Sequence, residues 1–133
     1  ILMKQYINRL YNEWLEHKKI IIAVDYDDTI FPFKLGNNKD IGKTIKLVKK
    51  AQEIGAYVVI FTASDPERHE SIKEHCKSIN LHIDSINENP IELPYGKFGK
   101  IYYNINLCDR SGLQQSLKIL KKTIKKINKI LNE

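Results

Sequence analysis

The hydrophobic positions change period several times along the chain, and each change marks an element. From Met3 to Lys18, Tyr6, Leu10, Trp14 and Leu15 recur three to four apart, the spacing of an amphipathic helix laid against a core. Ile20 to Val24 is a continuous, largely β-branched run that ends abruptly in acids, which suits a strand buried on both faces of a parallel sheet. The alternation then repeats. A helix is expected over about Asp40 to Glu53 with a stop at Gly55, a strand over Tyr57 to Phe61, and a helix opened by Asp65-Pro66-Glu67 and running to about Ile79. A weak strand follows at His82 to Ile86, a loop rich in Asn, Pro and Gly at 87–99, and a fourth strand over Ile101 to Leu107. From Gly112 onward Leu113, Leu117, Leu120, Ile124, Ile127 and Leu131 recur at helical spacing, with lysines filling many of the positions between.

Strands alternating with helices predict a parallel α/β sheet with right-handed crossovers, in which ligands bind beyond the carboxyl ends of the strands. A chain of 133 residues supports one core rather than two. The expected organisation is a single domain over 1–133: an N-terminal helix at about 3–18, a core at about 19–111 and a C-terminal amphipathic helix at about 112–132. Neither an internal repeat nor a low-complexity linker interrupts it.

Composition changes this picture little. The hydrophobic fraction is 42% and the charged fraction 29%, and no apolar run approaches the roughly 20 residues that span a bilayer. The opening residues lack the long apolar segment of a secretory signal, and Cys76 and Cys108 have no framework spacing, so reduced thiols and a cytoplasmic location are expected. A net charge of +6 favours anionic partners. Much of the excess is in the C-terminal helix, where Lys118, Lys121, Lys122, Lys125, Lys126 and Lys129 read as a solvated face. His17, His69, His75 and His82 have no metal-site spacing and read as surface or helix residues, and Tyr102 and Tyr103 as ordinary strand residues.

Three polar clusters stand where a site is expected, each just after a predicted strand: Asp25-Tyr26-Asp27-Asp28-Thr29, Thr62-Ala63-Ser64-Asp65 and Cys108-Asp109-Arg110. Alternate residues of an extended segment point the same way, so Asp25 and Asp27 bring two carboxylates to one volume. A hard divalent ion such as Mg²⁺ would join them, with Asp109 supplying a further oxygen ligand from a neighbouring strand.

Taken together, these residues resemble the haloacid dehalogenase (HAD) superfamily. Its first motif is an apolar strand followed by Asp-x-Asp-x-Thr, here Ile20 to Val24 and then Asp25, Asp27 and Thr29; its second is a strand ending in Thr or Ser, here Tyr57 to Thr62. For the third, a lysine before the last core strand, Lys100 is the candidate and Lys97 the reserve. The fourth, an acidic pair, meets Cys108-Asp109, where Asp-Asp-Arg is common in the nucleotidase-like and phage-associated branches. The resemblance spans roughly Lys19 to Gly112. It implies a Rossmann-like three-layer sandwich with a mainly parallel sheet, ordered fourth, first, second, third strand, and no cap domain.

It also implies roles. Asp25 is the expected nucleophile, forming an aspartyl-phosphate, and Asp27 the acid and base. Thr29 holds the turn. Mg²⁺ is expected on Asp25, the Asp27 backbone carbonyl and Asp109, with Thr62 and Lys100 holding the transferring oxygens. Thr29, Asp28, Ser64, Asp65 and Arg110, near the predicted mouth, are candidates for substrate contacts. Because a thiol is a poor Mg²⁺ ligand, Cys108 predicts weakened metal binding. The intervals between motifs leave no room for a cap, so the expected substrate is a phosphate on something large, such as a polynucleotide end or a phosphoprotein, or else a homo-oligomer closes the site; the basic charge tilts the expectation toward nucleotide or nucleic-acid phosphate. Two other readings stay open: a phosphotransferase, and a non-catalytic module of the same fold that binds an anionic partner such as nucleic acid through the lysine-rich helix.

Overall fold

The computed structural model describes residues 2–92 and 100–133. Helix α1 spans Leu2–His17, strand β1 Ile20–Asp25, α2 Lys39–Glu53 and β2 Ala56–Phe61. A short 3₁₀ turn, Pro66–Arg68, leads into α3, His69–Ser78, followed by β3, Ser85–Ile86, β4, Ile105–Leu107, and α4, Leu113–Leu131. The sheet has the order β3-β2-β1-β4 and every pairing is parallel, so the α/β, Rossmann-like architecture is the one the alternating pattern predicts. No helix among the described residues is long and apolar enough to cross a membrane.

One buried cluster joins the sheet to all four helices. Ile20, Ile22 and Val24 of β1 and Val58 and Ile60 of β2 meet Leu10 and Trp14 of α1, Val48 and Ala51 of α2, Ile72 and Cys76 of α3, and Leu117, Leu120 and Ile124 of α4. Truncating a fully buried member such as Leu120 to alanine costs about 2–5 kcal/mol. Ile21, Ala23 and Val59 point to the opposite face and are buried too, which is why β1 reads as an unbroken apolar run.

Local devices set the boundaries. The Asn38 side chain accepts from the N–H groups of Asp40 (2.9 Å) and Ile41 (3.2 Å) and so starts α2. Gly55 has φ +106, and a Cβ there would lie 2.7 Å from the Lys18 carbonyl oxygen, where the link into β2 crosses the link into β1. Trp14 Nε1 pins that crossing by donating to the Ile54 carbonyl at 3.0 Å.

Two strands are shorter than their apolar patterns suggest, for a common reason. Asp84 donates its N–H to the Val58 carbonyl, and its carboxylate takes the Val58 N–H at 2.7 Å; Asn104 does the same to Ile21, its Oδ1 accepting at 2.7 Å. Asx side chains replace ladder carbonyls at both places. Ladder pairing therefore begins only at Ser85 and Ile105, instead of His82 and Ile101. The helix expected from Asp65 starts as the 3₁₀ turn and becomes α-helical only at His69.

Candidate active site

Parallel strands deliver their carboxyl ends to one edge, and the polar clusters collect there. Asp25 is the last residue of β1, and Asp109 follows β4, the strand paired with it. Ligating atoms of Asp25, Cys108 and Asp109 all lie within 4.8 Å of one another. Thr29 ties these segments together. Wholly buried, it donates its hydroxyl to Asp109 Oδ1 at 3.1 Å and accepts the Asp109 N–H at 3.0 Å.

The crowding shows in the ionisation of Asp25. Burial first, then a hydrogen bond to Asp109 and the negative charges of Asp109 and Asp27, push its carboxyl up to about 7, against the lowering effect of the Tyr26 N–H. Such a pair holds a proton where a cation could sit. Two opposed carboxylates suit a hard divalent ion, whereas the Cys108 sulfur beside them adds a soft donor that such an ion does not prefer.

Asp27 points into a different set of partners. Arg68, at the end of the 3₁₀ turn, grips it with both arms: Nη1 donates to Oδ2 and Nη2 to Oδ1, each at 2.7 Å. The Arg68 Nη1 also donates to Ser64 Oγ at 2.7 Å. Its guanidinium carbon lies 5.3 Å from the Tyr26 ring centroid, 5.8 Å from Phe31 and 5.4 Å from Phe33. The bond to Asp27 holds the guanidinium even more firmly protonated than usual. Sequence reasoning missed Arg68, which carries no motif and lies 41 positions from its partner.

Asp28 is not at the mouth as expected. With φ +61 and only 8% of its surface exposed, it turns inward, and its carboxylate accepts the N–H groups of Phe33 (3.0 Å), Lys34 (3.2 Å) and Leu35 (3.0 Å). Although burial opposes it, these bonds and the nearby Arg110 charge hold the Asp28 carboxyl below its ordinary value. Asp28 therefore organises the loop after β1, leaving Phe33 and Leu35 exposed on it.

Thr62 stands beyond β2, its backbone clamped by Asn87: Thr62 N–H donates to Oδ1 at 3.0 Å and Nδ2 donates to the Thr62 carbonyl at 2.8 Å. Its hydroxyl oxygen accepts the Ser64 N–H at 3.1 Å, which leaves the hydroxyl proton to give elsewhere. Ser64 is drawn to Arg68, and Arg110 is exposed. Lys100 is exposed, and among the described residues no hydrogen bond or ion pair joins it to the carboxylates. Lys97 lies outside the described residues. His75 is a helix residue, as expected, and it also has a partner: its Nδ1 lies 2.8 Å from the Tyr26 hydroxyl, and burial lowers its basicity.

No protein-family model matches the chain, and no curated protein matches it. Among solved structures, a conserved protein from Bacteroides thetaiotaomicron superposes with a TM-score of 0.63 at 22% identity, covering 81% of this chain and 91% of that one. The likeness is one of fold.

Proposed function

We propose that this protein is a Mg²⁺-dependent phosphohydrolase of the HAD type that works through a phosphorylated Asp25. The observation that carries the reading is the meeting of the Asp25 and Asp109 carboxylates at the ends of adjacent parallel strands, where burial first and then Asp109 push the Asp25 carboxyl up to about 7. When bound, Mg²⁺ would be held by Asp25, Asp109 and the Asp27 carbonyl, and would shield phosphate charge from the anionic nucleophile.

The chain's own residues supply the rest. Asp25 attacks phosphorus as a carboxylate, and the ester P–O bond breaks as Asp27 gives a proton to the leaving oxygen. Water then attacks phosphorus, Asp27 takes its proton, and the bond to Asp25 breaks, releasing phosphate and the free carboxylate. Both oxygens of Asp27 face Arg68, so the guanidinium must withdraw from at least one before Asp27 can act. Thr62 has the free hydroxyl proton to hold a phosphoryl oxygen, and the exposed Lys100 and Arg110 are the candidates for added positive charge. Substrates of this site are phosphomonoesters, nucleotide or polynucleotide phosphate among them.

The test is hydrolysis of an aryl phosphate by the wild type, by Asp25→Asn and by the wild type in chelator. Activity in the first and loss in both others is expected; activity surviving in Asp25→Asn sinks the reading. Cys108 among the candidate ligands favours a second reading, a non-catalytic module of this fold, for which the wild type is inert with every divalent metal.

A further inference from the structure

Five lysines from two distant parts of the sequence converge on one groove. Lys43, Lys46 and Lys50 of α2 and Lys118 and Lys121 of α4 line a depression of about 770 Å³ between the two helices, with Asp40 as its acidic residue. All five are exposed, and among the described residues none has a carboxylate within ion-pairing distance. A lysine face that is merely solvated spreads around one helix; here two helices aim their charge at a shared hollow, where the mutual repulsion stands until an anion relieves it.

The fold fixes where that hollow begins. α2 returns from the carboxyl end of β1, and α4 leaves from the carboxyl end of β4, so both helices start at the edge that carries Asp25 and Asp109. They run side by side in the same direction, and a second depression lined by Glu53, Lys121, Lys125 and Asn128 continues the groove away from the site. Lys43 and Lys118 mark its near end, in the second turns of their helices.

We infer that this groove is a track for the phosphate backbone of a single nucleic-acid strand whose terminal phosphate enters the Asp25 site. The terminal phosphate's fate rests on the phosphohydrolase reading; the track does not. Packed helices about 8–10 Å apart make a furrow for one backbone, not for a duplex. Lys43 to Lys50 spans roughly 10 Å of helix, about three nucleotides of a stacked strand at 3.4 Å each. Met3, Leu47 and Leu117 also line the groove, but they are buried or half-buried, whereas a membrane surface would need an apolar flank that is exposed and faces outward.

The experiment uses the full chain as Asp25→Asn, so that nothing turns over, and a fluorescent ten-nucleotide single strand with a terminal phosphate, followed by anisotropy against salt. Each lysine–phosphate contact contributes about −0.7 to the slope of log K on log salt. Changing Lys43, Lys46 and Lys118 together to Gln is expected to reduce that slope by about 2 and weaken binding about tenfold or more at low salt. Lys73→Gln with Lys77→Gln, on α3, leaves both unchanged. In the chain with Asp25 intact, the groove triple raises KM for the strand's terminal phosphate about tenfold while aryl phosphate hydrolysis stays within about twofold. Equal losses in the α3 pair, no loss in the groove triple, or equal affinity for polyglutamate or anionic vesicles would overturn the track. If the intact chain hydrolyses neither substrate, the phosphohydrolase reading fails, and the anisotropy still decides the groove.

Discussion

Removing the charge of Asp25 should make the metal-free protein more stable, not less, and only at neutral to alkaline pH. The Asp25 carboxyl rises from an ordinary 3.8 to about 7 through burial and the nearness of Asp109 and Asp27. Between those values the folded chain keeps a proton that the unfolded chain has released, so stability falls as pH climbs from about 4 to about 7 and is flat above. At full desolvation a rise of this size corresponds to roughly 4 kcal/mol; the site is partly open to water, and screening brings it to about 1–2 kcal/mol. Asn has the shape of Asp without the charge, so Asp25→Asn escapes that loss. For a domain of this length 1 kcal/mol moves Tm by about 4 °C. Thermal unfolding by circular dichroism in chelator should therefore place Asp25→Asn about 4–8 °C above the wild type at pH 8 and level with it at pH 4. Adding Mg²⁺ should raise the wild type's Tm and leave the variant's nearly still. An Asn variant equal to or below the wild type at pH 8, or a difference independent of pH, would show that the carboxylates do not strain one another.

Three further outcomes follow from named contacts. Thr29→Val keeps the volume of a buried side chain but removes both bonds to Asp109; it should cost about 1–3 kcal/mol in urea denaturation and weaken Mg²⁺ affinity about tenfold by calorimetry. A double-mutant cycle on Arg68→Met and Asp27→Asn should return a coupling of about 1–2 kcal/mol, because the bidentate pair is about 70% buried at each side chain; zero coupling would refute the grip. Cys108→Asp replaces the soft donor by a carboxylate and should tighten Mg²⁺ binding about tenfold in calorimetry, with unchanged affinity arguing that Cys108 faces away from the metal.

Much of this was legible because it is local. The unbroken run Ile20 to Val24 marks a doubly buried strand, and the spacing of Asp25, Asp27 and Thr29 places polar groups at its end; the heptad-like pattern after Gly112 gives α4 to within a residue. What stayed hidden depends on tertiary geometry. Asp28 sits in an acid-rich motif, but its left-handed backbone turns the carboxylate into the loop. Arg68 acquires its role only because the 3₁₀ turn swings it over Tyr26 toward Asp27. His75 becomes a partner of Tyr26 because α3 packs its inner face there. The short β3 and β4 follow from Asp84 and Asn104 satisfying backbone groups with side chains, which hydrophobic periodicity does not register.

The most direct test of the central claim is to look for phosphate on Asp25 itself. An aryl phosphate with a good leaving group needs no acid, so Asp27→Asn should complete the first displacement and stall before water attacks. Acid-quenched Asp27→Asn, incubated with that substrate and Mg²⁺ and analysed by peptide mass spectrometry, should carry one phosphoryl group on the peptide containing Asp25, and none when chelator is present or when Asp25 is also changed to Asn. Substrate turnover by the wild type with no phosphoryl group trapped on Asp25, or with the group on another side chain, would contradict the account.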